Sequence, residues 1–325
     1  MRLPRRAFLQ LAAGAAVLPG VPRTVRAQAY PSRPVRIIVG FAPGGPTDIL
    51  GRLVGQRLSE RMGQQFIIDH RPGAGSNIAT EAVVRAPADG YTLYLSDASP
   101  TINATLYDKL SFNFIRDIAP VASISRHPLV IALNPSVPVA TGPEFLAYAK
   151  ANPGKINMSS PGNGTPPHVA GELFKMMTGV NLVHVPYRGA SPALTDLIGG
   201  QVQVMFAGLA GAIQYVKAGQ LRAVAVTGDK RVDVLPDLPT VDEFVPGYEA
   251  SGWNGVCAPR NTPAEIIGKL NNAINAGLAD PKLRGRLGDL GATALSGSPA
   301  DFGKFIVEET EKWRKVIRTG NIKPG

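Results

Sequence analysis

The sequence predicts an α/β chain with parallel sheets covered by helices on both faces, arranged as two lobes. Three observations carry this. From Val35 onward, short apolar runs alternate with amphipathic helical stretches, the pattern of repeated βα units. The runs are nearly continuous in apolar residues, as strands buried on both faces are. A middle block is flanked by proline-rich segments, His127-Pro128 before it and Leu235 to Pro239 with Val245-Pro246-Gly247 after it. These mark two crossings between lobes. With 325 residues, the chain has the length for two domains of roughly 100–200 residues each.

Taken in order, Val35 to Val39 reads as the first strand and Pro43-Gly44-Gly45-Pro46 breaks it. Thr47 and Asp48 then offer N-cap oxygens to a helix carrying Leu50, Leu53, Val54, Leu58 and Met62 at helical spacing. Phe66 to Ile68 is the next strand, and Arg71 to Gly75 is a second Gly-rich turn. Helix 77–85 and strand 91–95 follow. In the middle block, helix 143–151 leads to strand 156–159, and helix 167–178 to strand 182–186. Helix 192–198 then leads to strand 202–206, and helix 209–217 to strand 221–226. Two long helices, 263–278 and 299–318, have no full sheet of their own and are expected to pack back on the first. The expected lobes are 28–125 with 250–325, and 126–249 inserted between them.

Composition removes several function classes. The 36 Gly and 29 Pro have no fixed period, which excludes collagen-like and low-complexity chains. The net charge of +10 is inflated by five arginines and no acid in residues 1–27; the remainder holds 29 basic and 24 acidic residues. No basic cluster interleaved with aromatics appears, so nothing points to nucleic acid. The single cysteine, Cys257, excludes an internal disulfide, and its apolar flank Gly255-Val256-Cys257-Ala258 reads as a strand with a packing thiol. At the N-terminus, Arg5-Arg6 precede an apolar run, Phe8 to Leu18, and then Val25-Arg26-Ala27. That is a cleavable export signal, residues 1–27, and its paired arginines resemble a twin-arginine signal, with Pro4 and Gln10 departing from the usual pattern. The apolar run is too short to span a bilayer.

In open α/β sheets ligands bind at the carboxyl ends of strands, where helix N-termini point. Three Gly-rich loops occupy such positions. The first contains Phe41, Pro43, Gly44, Gly45, Thr47 and Asp48; the second Ser160, Asn163, Gly164, Thr165 and His168; the third Tyr187, Gly189, Ala190 and Ser191. Glycine permits close backbone approach, hydroxyls cap or donate, and each following helix supplies orphan N–H groups with a partial positive charge. This suits an anion such as a carboxylate or phosphate. Gly164 is expected where the anion meets the helix that starts near Thr165.

Competing chemistries lack parts. Gly162-Asn163-Gly164 has Pro167 where a dinucleotide fingerprint needs glycine, and no phosphate-binding P-loop exists. Gly189-Ala190-Ser191-Pro192-Ala193 resembles a degenerate nucleophile elbow, but all four histidines precede Ser191 and Pro192 removes an oxyanion N–H. His168 and Glu172 lie one helical turn apart without a third ligand, so no metal site is expected. Asp48 has no partner acid or nucleophile and reads as a helix cap.

With these residues in place, the chain resembles the Bug family, the extracytoplasmic solute receptors of tripartite tricarboxylate transporters. The resemblance runs from Tyr30 to about Arg318 through Pro34 to Val39, Pro43 to Asp48, Arg71 to Ile78 and Asp89 to Leu93. It continues through Ser159 to Phe174, His184 to Ala190, Asp196 to Val202 and Trp253-Asn254-Gly255. It implies a type II periplasmic-binding-protein fold, two parallel-sheet lobes joined by a hinge. It also implies capture of a small organic carboxylate by backbone N–H groups, hydroxyls and bridging waters for membrane subunits of the transporter; with no nucleotide loop and no third ligand beside His168, no cofactor is expected. A monomeric periplasmic receptor is the expectation. A sensor presenting its ligand to a membrane histidine kinase is the runner-up, and a periplasmic hydrolase the alternative of another class. After Met205-Phe206 the chain has Ala207-Gly208 where relatives often carry Asp or Asn. Ala207 therefore removes a side-chain partner that an amino acid's ammonium would use.

Overall fold

A computed structural model describes residues 30–324; the export segment 1–27 lies outside them. The first lobe opens with β1 (Val35–Val39), α1 (Pro46–Met62), β2 (Phe66–His70), α2 (Asn77–Val84) and β3 (Thr92–Asp97). Then come α3 (Ser99–Leu106), the single turn α4 (Phe114–Asp117) and the long strand β4 (Ile118–Leu133). The second lobe alternates α5 (Gly142–Ala151), β5 (Ile156–Ser160), α6 (Pro166–Thr178), β6 (Leu182–Pro186) and α7 (Ala190–Ile198). It continues with β7 (Val204–Gly208), α8 (Leu209–Lys217) and β8 (Arg222–Val226). The chain returns through β9 (Ser251–Pro259), α9 (Ala264–Leu278), α10 (Pro281–Asp289), β10 (Thr293–Ala294) and α11 (Pro299–Thr319).

The strands run β2-β1-β3-β9-β4 in one lobe and β4-β7-β5-β6 in the other, with β10 and β8 paired to β4. Each lobe has a parallel part, β2-β1-β3 and β6-β5-β7. Antiparallel strands join these parallel parts: β9 is antiparallel to β3 and β4, and β4 is antiparallel to β7, β8 and β10. β4 and β9 carry the chain between lobes without a helical crossover, so they meet their neighbours in opposite direction. β4 itself pairs β9 as far as Pro128 and β7 from Leu129 onward. Its prolines hid it in the sequence. Pro120 lies beside a register shift, which is where a strand tolerates a residue without an N–H.

One buried cluster in the first lobe joins Val35, Ile37 and Val39 to Leu50 and Leu58 of α1 and Leu270 and Ile274 of α9. A second joins Val130 and Ala132 to Leu194, Leu197, Met205 and Ile213. A third bridges the lobes, from Tyr94 and Ile102 to Phe145, Phe174 and Phe206. Trp253 stands edge-on to Phe302 of α11, with centroids 5.7 Å apart. Thus α9 and α11 do pack on the first sheet. Cys257 is fully buried, and burial pushes its thiol well up, the state of a packing thiol. Among the described residues, no helix is long and apolar enough to cross a membrane.

Candidate functional site

The three Gly-rich loops leave the carboxyl ends of β1, β5 and β6 and feed α1, α6 and α7. They meet between the lobes, which are closed on each other. Ser191 Oγ donates a hydrogen bond of 2.9 Å across the cleft to the Pro43 carbonyl. Gly164, at φ +76°, faces Asn103 so closely that a β-carbon there would stand 1.7 Å from Asn103 Oδ1. Asn103 in turn donates to the Gly75 carbonyl at 2.8 Å and to Asn77 Oδ1 at 2.9 Å. It thereby fixes a turn whose Gly75 abuts the Asn163 carbonyl across the cleft.

Among the described residues, two of the chambers between the lobes are walled by these loops. The first, about 50 Å³, is lined by Phe41, Gly45, Thr47, Thr165 and Ala190. Also at its wall are Asp97, His127, Leu129, Gly208, Trp253 and Asn254. The first turns of α1, α6 and α7 reach this wall through Pro46, Pro166 and Ala190, and α8 reaches it through its N-cap, Gly208. No lysine or arginine lines it. Helix N-termini direct positive potential there through their dipoles and first-turn N–H groups. Pro166 and Pro167 leave α6 with fewer such donors, so its contribution is mainly its dipole. Trp253 Nε1 is buried without a hydrogen-bond partner among the described residues. The second chamber, about 230 Å³, shares Phe41 and Pro161 with the first and adds Asn163, Tyr187 and Arg188.

Other sequence-predicted residues shape the loops. Asp48 does not cap α1: Gly45 is the N-cap and Pro46 starts the helix, because proline is preorganised for the first helical position. Asp48 instead accepts from the Gly44 N–H at 2.9 Å and from Arg52 Nε at 3.1 Å, and its Oδ1 lies 3.1 Å from His70 Nε2. Its carboxyl is lowered despite burial, chiefly by the Gly44 and Arg52 hydrogen bonds. In the second loop the Gly164 N–H donates to His168 Nδ1 at 3.2 Å, so that amide is used inside its own loop rather than offered to a ligand. His168 therefore carries its proton on Nε2 and is neutral. Its ring stacks on His184, centroids 4.2 Å apart, and His184 Nε2 lies 2.6 Å from Ser160 Oγ. Burial pushes His168 down to about 3 and His184 to about 4. Ser160 is fully buried and lines neither chamber, so this Ser–His contact braces the loop. Tyr187 donates to Asp196 at 2.6 Å.

Of the predicted residues, Phe41, Gly45, Thr47, Thr165 and Ala190 line the first chamber, and Phe41, Asn163 and Tyr187 the second. Pro43, Gly44, Gly189 and Ser191 form contacts across the cleft. Asp48, Ser160, Gly164 and His168 hold the loops, and Ala207 is buried in the second core beside Gly208. Reading the sequence by loops missed Asp97, His127 and Asn254. Asp97 ends β3, two residues past the expected strand; His127 and Asn254 lie within β4 and β9. The available signal was the apolar run Tyr91 to Leu95 ending on Ser96-Asp97, a strand whose carboxyl end carries an acid. Among the described residues no group of three or more His, Cys, Asp or Glu is placed to hold a metal ion.

The model of the tripartite tricarboxylate transporter family receptor matches residues 50–322. Protein BugT of Bordetella pertussis is 33% identical over 307 residues, covering 94% of each chain. A structure of R. palustris Rpa4515 with adipate superposes with a TM-score of 0.89 at 38% identity, covering 91% of this chain and all of that one. MatC from Rhodopseudomonas palustris with bound malate gives 0.85 at 31% identity, covering 89% of this chain and all of that one.

Proposed function

The chain belongs to the tripartite tricarboxylate transporter family of receptors, and from that premise we propose how it works as a periplasmic receptor. Its two lobes close on a small organic carboxylate, held by helix N-termini, backbone amides and the Trp253 indole rather than by a cationic clamp. The observation that carries this reading is the convergence of four helix N-termini on a chamber lined by no lysine or arginine. Adipate and malate in two R. palustris relatives support the ligand class. Charge-assisted hydrogen bonds contribute roughly 1.5–3 kcal/mol each, so three or four suffice for a micromolar site after ordering costs.

Closure is the signal. Contacts such as Ser191 to Pro43 exist only when the lobes meet, so ligand binding shifts the population toward the closed form that the membrane subunits recognise. The chain acts as a monomer, without cofactor or catalysis, and its lobes divide at residues 126 and 249. Arg5 and Arg6 direct export by the twin-arginine route, and cleavage leaves a mature chain starting near Gln28.

Native mass spectrometry of the mature protein from periplasm tests the reading. A co-purified mass that dissociates on mild activation and matches an organic acid is expected. A nucleotide, a metal ion or a ligand without a carboxylate would contradict it.

A further inference from the structure

The first chamber holds one carboxylate of its own. Asp97 lies at the carboxyl end of β3, is 8% exposed and lines the wall opposite no cation. Its carboxylate accepts from Ser99, whose N–H donates at 3.1 Å and whose Oγ donates at 2.9 Å. Each carboxylate oxygen keeps further acceptor capacity after these bonds. No lysine or arginine pairs with Asp97 among the described residues, and its neighbour in the chamber, His127, is driven down to about 4 by burial and is neutral. A buried carboxylate without a cation costs stability, and burial raises Asp97 to about 6.

Such a group in a site built for anions is a selectivity element. We propose that Asp97 selects, among organic carboxylates, those carrying a protonated amine: the ligand carboxylate meets the helix N-termini while its ammonium meets Asp97. This rests on the carboxylate-receptor reading above. A dicarboxylate would set its second charge against Asp97, whereas an ammonium compensates it and takes up its free lone pairs.

Calorimetric titration with matched three- to six-carbon acids tests this. Each set contains an amino acid, its hydroxy acid, the unsubstituted monocarboxylate and the dicarboxylate. The amino member is expected to bind at least ~10-fold more tightly than its counterparts, and Asp97→Asn to weaken it at least ~10-fold while changing the others by less than ~3-fold or improving them. Asp97→Ser serves as the second variant, and melting curves establish that both are folded. A wild-type preference for dicarboxylates or hydroxy acids, or an amino preference unchanged in both variants, overturns the proposal and leaves the carboxylate receptor standing. Binding of none of the acids to any of the proteins brings down the carboxylate reading itself.

Discussion

Gly164 in one lobe and Asn103 in the other fit so tightly that a β-carbon added to Gly164 would stand 1.7 Å from Asn103 Oδ1 and force that amide to move. The contact belongs to the closed state, and it changes what Gly164 does. Its amide is already engaged by His168, so its value to ligand binding lies in letting the lobes meet.

Substitution at Gly164 therefore acts by bulk rather than charge. Gly164→Ala and Gly164→Asp should each lose at least ~30-fold in ligand affinity, within about 3-fold of one another. The positive φ adds about 1–2 kcal/mol of strain to either variant without ligand. Titration beside unliganded melting curves separates the two effects. If Gly164→Ala binds as wild type while Gly164→Asp fails, the charge at this loop decides and the steric account is wrong.

Ser191→Ala removes the hydrogen bond to the Pro43 carbonyl and leaves each loop intact. About 1 kcal/mol of closed-state stability should go with it, seen as a roughly five-fold weaker Kd. Small-angle scattering should report a larger open fraction at subsaturating ligand. Equal affinity and equal compaction would show that closure does not depend on this contact.

Acid should weaken the fold through its histidines. His127, His168 and His184 are held by burial at about 4, about 3 and about 4, against an ordinary value of 6.5. Between these values the unfolded chain takes up protons that the native chain refuses. Their stabilising contribution is complete above pH 6.5 and is lost as pH falls toward 4, by about 1.4 kcal/mol per pH unit for each histidine. His168→Asn, which keeps an acceptor for the Gly164 N–H, should lower that slope by about one proton. Denaturant titrations from pH 7 to pH 4.5 measure it, and an unchanged slope would argue against a neutral buried His168.

Asp97 works in the opposite sense. Its native value is raised to about 6 from 3.8 by burial, so the native state holds the proton more tightly. Its contribution is most favourable below 3.8 and is lost as pH rises through 6. Asp97→Asn should accordingly stabilise the unliganded protein by roughly 1–3 kcal/mol at pH 7.5, and the gain should vanish near pH 4. A variant less stable at both pH values would mean that the Ser99 hydrogen bonds outweigh the buried charge.

The βα alternation was legible because the strands are apolar runs and the helices begin after turns carrying Gly or Pro. Strands β1, β2, β3, β5, β6 and β7 and helices α1, α2, α5, α6, α7 and α8 stand close to where periodicity puts them. Two features were not legible, and they matter for the site. β4 carries Pro120 and Pro128, and local rules cannot see that one lies beside a register shift and the other at the crossing between lobes. β3 runs two polar residues past its last leucine, which hid Asp97 at the chamber wall. The binding loops were recognisable by glycine and proline. Which of their atoms face a ligand was not, since that depends on how two lobes distant in sequence meet.

The central claim is that helix N-termini, without metal or cationic side chain, bind a carboxylate. A calorimetric titration of the mature chain in excess chelator, using mono-, di-, tri- and amino-carboxylates beside their primary amides, tests it most directly. The account predicts micromolar binding of at least one acid, with its amide weaker by about 100-fold or more. Binding only after a metal is restored, or equal binding of acid and amide, would contradict it.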